Sequence, residues 1–311
     1  MTARTKKNLA RTPLTIFFIG ALLTLGGCSS NRFPVLFPGG PVAGTERDLL
    51  FIAVALMLIV IVPVFVMVAY FTWHYRASNT RARYMPEWAS SMRVEAVMWL
   101  VPMAIVGVLS WMVFVYSHTL DPYRPIASKT PPLHVEAISL DWKWVFIYPK
   151  QHIATVNELV IPTGRPVSMK LTSDTVMNSF YIPGLVGQIY TMAGMQTRLN
   201  MLADKPAHFI GRNTNFSGRD FADQRFAVKA VPAAGFRAWV AQVKKSPKAL
   251  DAATYGRLVR PGTSDAVTYS AVEPNLFYKV IAKYSPSMMK RIKKNWPADS
   301  AALPPKKSFA S

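Results

Sequence analysis

Thiolate, imidazole and carboxylate are the side chains that hold metals and move protons, and this sequence spreads them thinly. Its one cysteine, Cys28, excludes an internal disulfide and any thiolate cluster. Beyond residue 118 the histidines are His134, His152 and His208, too far apart in sequence for a compact ligand set. They read as ordinary surface or core residues. One carboxylate stands out by position: Glu95 opens an apolar run. A carboxylate there favours the positive end of a helix dipole, and at the edge of a membrane it can also serve as a proton-entry group.

The elements that would position these residues divide into an apolar part and an alternating part. The chain has 311 residues, 51% hydrophobic and 17% charged, which is too apolar for an ordinary soluble domain. Leu49 to Thr72 is 24 residues without a charge and Ala96 to Ser117 is 22. Each exceeds the roughly 20 residues needed to cross about 30 Å of hydrocarbon. Pro63 and Pro102 lie within them, so each span is expected to kink and to need neighbours that satisfy the freed carbonyls. Tyr70, Trp73, Tyr75, Trp99 and Trp111 flank the spans as interfacial aromatics do.

Residues 1–28 read as a signal peptide: a basic start, an apolar core from Leu14 to Leu25, then Gly26-Gly27-Cys28. The ending resembles a bacterial lipobox, in which the cysteine is lipidated and becomes the mature N-terminus. The other reading, an unmodified cysteine closing a third apolar helix, meets an apolar core that is short for a span. The loop 73–95 carries Arg76, Arg81, Arg83 and Arg93 against Glu87 and Glu95, and the positive-inside rule puts it in the cytoplasm. Both chain ends then lie in the periplasm.

The formal net charge is +20. Much of it sits in the first residues, in the loop and in a tail containing Lys290, Arg291, Lys293, Lys294, Lys306 and Lys307. That distribution points to topology signals and lipid contact, not to nucleic acid.

From Leu133 onward, short β-like runs alternate with turn residues: Leu133–Leu140, Trp142–Tyr148, Thr155–Ile161, Val167–Thr172, Thr197–Leu202, Ala207–Gly211 and Arg225–Val231. The pattern fits a small β-sandwich or Greek-key barrel. Period-2 spacing predicts that Trp142, Trp144, Phe146 and Tyr148 share one strand face, as core or interface. Helices are expected over 233–245 and over Pro247 to Val259, and disorder beyond Tyr284. The division is a lipoprotein signal peptide over 1–27, a periplasmic segment over 28–47, and a transmembrane hairpin over 48–118. A periplasmic sandwich over 119–232, a helical region over 233–284 and a basic tail over 285–311 follow.

The runs SLDWKWVFIYP, QHIATVNELVIP, SDTVMNSFYIP, GQIYTMAGMQTRLN and VEPNLFYKVI are closely similar to subunit II of the haem–copper terminal oxidases, in its quinol-oxidising branch. The resemblance covers nearly all of residues 28–284 and implies a membrane-anchored α+β protein: a two-helix hairpin, then a cupredoxin-like β-sandwich with C-terminal helices. In the cytochrome c oxidases of the superfamily, that sandwich binds dinuclear copper through an early DVxHSW-type and a late GQCSEICGxxHxxM-type segment. Here Asn178 stands at the early histidine. The late segment, laid on Gly211–Gln224, puts Asn213 and Ser217 at the cysteines, Asn215 at the glutamate, Phe221 at the histidine and Gln224 at the methionine. Copper of that kind needs soft donors, so this chain is expected to bind no metal or cofactor.

The resemblance further implies that haems, copper and ubiquinol belong to subunit I, with further small membrane subunits and the lipid bilayer as the other partners. It implies that Glu95 lies near the cytoplasmic mouth of a proton channel in subunit I. Between His118 and Tyr284 there are 20 basic and 11 acidic side chains, the wrong sign for docking a basic cytochrome c. Two alternatives remain open at this point: a cytochrome c oxidase subunit II with an atypical copper site, and a free-standing lipoprotein scaffold.

Overall fold

The computed structural model describes residues 33–83 and 85–294. Cys28, the signal peptide and the end of the tail lie outside the described residues. Pro41 starts the first long helix at a position where its missing N–H and fixed φ cost nothing, and the uncharged run then carries α1 over Pro41–His74. The second helix, α2, spans Met92–Thr119. Both outrun the apolar stretches that predict them, and Pro63 and Pro102 sit inside them. Their only buried residues are Ala43 and Met112. Faces so apolar and so exposed require lipid or another protein around them.

The β-sandwich pairs β12-β3-β2-β1-β5-β8 in one sheet and β4-β10-β9-β6-β7 in the other. The strands are β1 (Leu133–Leu140), β2 (Lys143–Tyr148), β3 (Ile153–Val156), β4 (Glu158–Pro162), β5 (Val167–Ser173), β6 (Asn178–Ile182) and β7 (Val186–Thr191). They continue with β8 (Thr197–Met201), β9 (Ala207–Asn213), β10 (Arg225–Val231), β11 (Ala249–Leu250), β12 (Val267–Tyr269) and β13 (Ala271–Val272). The C-terminal helices are α3 (Ala233–Val243), α4 (Ala252–Leu258), α5 (Leu276–Tyr284) and α6 (Pro286–Lys294).

Four sequence expectations change. Thr155–Ile161 is two strands, because Asn157 takes φ 53° and carries the chain from one sheet to the other. Asn tolerates the left-handed region, and here its side chain accepts from Trp144 N–H at 2.8 Å and donates to Ser264 O at 2.6 Å. Trp142 leaves the strand face: it sits at φ 62° in the turn before β2, while Trp144, Phe146 and Tyr148 enter the core. The second C-terminal helix starts only at Ala252. Ala249–Leu250 pairs with β13, and Asp251 caps α4 by accepting from Thr254 N–H at 2.7 Å. Disorder does not begin at Ser285, because α6 follows and packs Met288, Met289 and Ile292 against a hydrophobic core.

Two cores result from the period of the strands. Leu133, Val135 and Ala137 of β1 and Trp144, Phe146 and Tyr148 of β2 point between the sheets. Ile138, Leu140, Val145 and Ile147 point the other way, under α5. Phe277 and Ile281 of α5 are fully buried there.

Glu136 lies on that covered face, where burial pushes its carboxyl up to about 7 against the opposing pull of Lys170 and of Tyr278. Arg198 of β8 acts on the same cluster through Lys170 and Tyr278. Between the ordinary carboxylate pKa and about 7, the folded chain holds a proton that the unfolded chain releases. The stability Glu136 contributes is therefore complete only below the ordinary carboxylate pKa, falls steadily as pH rises from there, and is lost by the time pH has passed about 7. Urea titrations from pH 5 to 8 should show that fall, and Glu136→Gln should flatten it; an unchanged slope in the variant refutes the assignment.

Candidate functional site

The positions that the sequence resemblance sets against metal ligands begin and end strands at one end of the sandwich. Asn178 opens β6, Asn213 closes β9, Ser217 lies in the following loop and Gln224 precedes β10. Because β9 pairs with both β6 and β10, these side chains meet. Asn213 Nδ2 lies 2.7 Å from Asn178 Oδ1, 2.8 Å from Gln224 Oε1 and 3.1 Å from Ser217 Oγ. Ser217 Oγ donates to Gln224 Oε1 at 3.1 Å, and Gln224 Nε2 donates to Leu140 O at 3.2 Å. Asn178 Nδ2 donates to Val176 O at 2.9 Å and to Ser139 Oγ at 3.3 Å, and Ser139 shares a hydrogen bond with Thr191. Asn178 and Gln224 are fully buried and Asn213 nearly so.

The remaining two positions stay at the rim. Asn215 donates through Nδ2 to Met177 O at 2.9 Å, and Phe221 meets Phe216, which is 78% exposed, with the rings tilted at 57° and their centroids 5.7 Å apart. Trp142 closes the site from the side: its indole N–H donates to Ser217 O at 3.2 Å, and Arg219 lies 5.9 Å from the ring centroid. Its positive φ is a strained state for a bulky residue, held by these contacts.

A soft metal does not fit this donor set. Amide and hydroxyl groups are poor ligands for a thiolate-type copper centre, and the lone pairs that face inward already accept hydrogen bonds. No group of three His, Cys, Asp or Glu side chains that could hold a metal occurs among the described residues. His134, His152 and His208 remain apart and exposed. Glu95 lies in the first turn of α2, exposed, with its backbone N–H on Ser91 O.

Sequence reasoning missed a buried carboxylate beside the network. Asp174, whose N–H donates to Ser139 O, accepts from Tyr255 Oη at 2.8 Å and from Lys283 Nζ at 2.9 Å. Tyr284 Oη donates to its carbonyl at 2.7 Å. Burial and the Asp174 charge hold the Tyr255 hydroxyl well above its ordinary pKa. The signal was an acid beside the Asn178 segment and tyrosines clustered far downstream; no local pattern joins them.

Fold and site thus define a membrane-anchored β-sandwich protein whose ligand-like centre is closed by its own amides. A family model described as COX Aromatic Rich Motif matches residues 244–288, the stretch that supplies Tyr255, Lys283 and Tyr284. The cytochrome bo(3) ubiquinol oxidase subunit 2 of Pseudomonas aeruginosa is 49% identical over 263 residues, covering 84% of this chain and 78% of that one. The ubiquinol oxidase subunit 2 of Acetobacter aceti is 44% identical, covering 87% and 88%. The periplasmic domain of cytochrome oxidase subunit II of Bradyrhizobium japonicum aligns over 38% of this chain and 98% of that one, at 22% identity and a TM-score of 0.36. The chain belongs to the ubiquinol oxidase subunit 2 family.

Asn213 is the hub of the network, so Asn213→Ala should orphan the buried Asn178 Oδ1 and the Ser179 N–H and leave Gln224 Oε1 with Ser217 Oγ alone. Each unsatisfied buried group costs about 1–3 kcal/mol, and thermal unfolding should register a loss of at least that size. A change below about 0.5 kcal/mol would show that the network is not closed as described.

Proposed function

We propose that this chain is the second subunit of a proton-pumping ubiquinol oxidase of the aerobic respiratory chain, and that it has no redox centre of its own. Ubiquinol oxidation and the reduction of dioxygen to water take place in subunit I, which holds the haems, copper and quinol. The observation that carries the reading is the buried amide and hydroxyl network at the ligand-like positions. A sandwich closed in this way transfers no electrons, so the electrons must enter elsewhere in the complex. The sandwich caps subunit I on the periplasmic face, and the exposed apolar faces of α1 and α2 pack on subunit I, on further small membrane subunits and on lipid. Cys28 carries a lipid anchor on that side. The excess of basic over acidic side chains in the outer domain disfavours cytochrome c as a donor.

The purified complex should consume oxygen with ubiquinol and not with reduced cytochrome c. Equal or faster turnover with cytochrome c, together with stoichiometric copper in the outer domain, would replace this reading with that of a cytochrome c oxidase subunit. Recovery without any haem-bearing partner would instead favour a free-standing lipoprotein.

Glu95 is the chain's own candidate for the proton path. It stands exposed at the α2 N-terminus, on the face assigned to the cytoplasm, where it supplies protons to the mouth of a channel in subunit I. Glu95→Ala should slow oxygen uptake several-fold while the complex still assembles with full haem content; wild-type turnover and proton uptake in that variant would remove Glu95 from the path.

A further inference from the structure

A cavity of about 460 Å³ opens where the two spans leave the apolar layer. α1 contributes Glu46, the end of α2 Leu120, the connection to β1 Asp121 and Arg124, and β7 and β8 the far wall through Gln188 and Asn200. That wall is built, not incidental. Asn200 donates to Pro122 O through its backbone N–H at 3.1 Å and through Nδ2 at 3.0 Å, which fixes the connection against β8. On the opposite side Gly187 lets the Glu46 carboxylate approach β7, since a Cβ there would lie 2.6 Å from Glu46 Oε1.

Depth restricts the occupant. Glu46 precedes the first uncharged stretch at Leu49 by three residues, and Leu120 follows the end of the second stretch at Ser117 by three. At about 1.5 Å of rise per residue, both lie about 4–5 Å outside the hydrocarbon. A bilayer about 30 Å thick in hydrocarbon is about 40–45 Å with headgroups, so the cavity stands in the headgroup layer.

Charge restricts it further. Glu46 and Asp121 offer two carboxylates, and the last turn of α2 adds the negative end of a helix dipole. Arg124 is the cation lining the same space. Neither Glu46 nor Arg124 has an ion-pair partner among the described residues. A purely anionic headgroup would meet two carboxylates, and a quaternary ammonium has no N–H to donate to them. A phosphate joined to a primary ammonium satisfies both sides. We infer that this cavity is a phosphatidylethanolamine headgroup site, with the phosphate on Arg124 and the ammonium between Glu46, Asp121 and the α2 terminus. The inference goes beyond the proposed oxidase role and stands on the membrane reading of the two helices alone.

The test uses the complete detergent-purified complex, stripped of lipid and returned to nanodiscs of phosphatidylethanolamine, phosphatidylglycerol or phosphatidylcholine, with bound lipid counted by native mass spectrometry. Wild type should retain one phosphatidylethanolamine more than the Arg124→Ala complex, with retention lowered about tenfold, as loss of one charge-assisted hydrogen bond predicts. Glu46 packs against β7, so Glu46→Gln could disturb folding; Asp121→Asn, on an exposed loop that keeps its acceptor for Tyr123 N–H, should weaken retention without that complication. The proposal is overturned by equal retention in wild type, Arg124→Ala and Asp121→Asn. It is also overturned by phosphatidylglycerol or phosphatidylcholine binding as well as phosphatidylethanolamine. Protection of Arg124 from hydroxyl-radical labelling in the lipid-free complex would assign the cavity to another subunit.

Discussion

Asn213 Nδ2 stands within hydrogen-bond distance of Asn178, Gln224 and Ser217, while its Oδ1 accepts the backbone N–H of Ser179 at 2.8 Å and of Asn215 at 3.0 Å. One side chain thereby joins β6, β9, the loop after β9 and the start of β10. An amide suits this place because it donates and accepts at once. With neither sulfur nor imidazole present to bind a metal, the end of the five-stranded sheet is held by hydrogen bonds, each worth little alone but costly to leave unmade.

The six-stranded sheet meets a different constraint, since both of its faces are buried. Tyr148 Oη both donates to Val160 O at 3.0 Å and accepts from Val160 N–H at 2.9 Å, tying the inner faces of the two sheets together. The outer face needs α4, α5 and α6 as cover. That cover is also chemically attached: Tyr255, Lys283 and Tyr284 converge on Asp174, four residues before Asn178. The C-terminal region and the amide network are therefore parts of one packed unit.

Much of this was legible in the sequence because it depends on short-range pattern. Uncharged runs marked α1 and α2, and period-2 alternation marked β1 and β10 to the residue. That Asn178, Asn213 and Gln224 meet across long separations had no local signal in the sequence; only the resemblance grouped them. Reading failed where one residue's backbone overrides the pattern. Asn157 and Trp142 both take positive φ inside runs that look like continuous strand, and no hydropathy period records that choice. It failed also for α6, whose polar, basic composition hides three apolar residues on one face.

A site without metal donors could in principle fill with leucines, and the backbone explains why it does not. The network sits where strands begin and end, so Leu140 O at the end of β1, Val176 O before β6, Ser179 N–H in β6 and Asn215 N–H after β9 take their partners from Asn178, Asn213 and Gln224. Apolar replacements of equal size would leave those buried groups unpaired. The demand for polar side chains comes from the backbone at these strand ends. A chain that keeps this backbone must keep polar side chains at Asn178, Asn213 and Gln224.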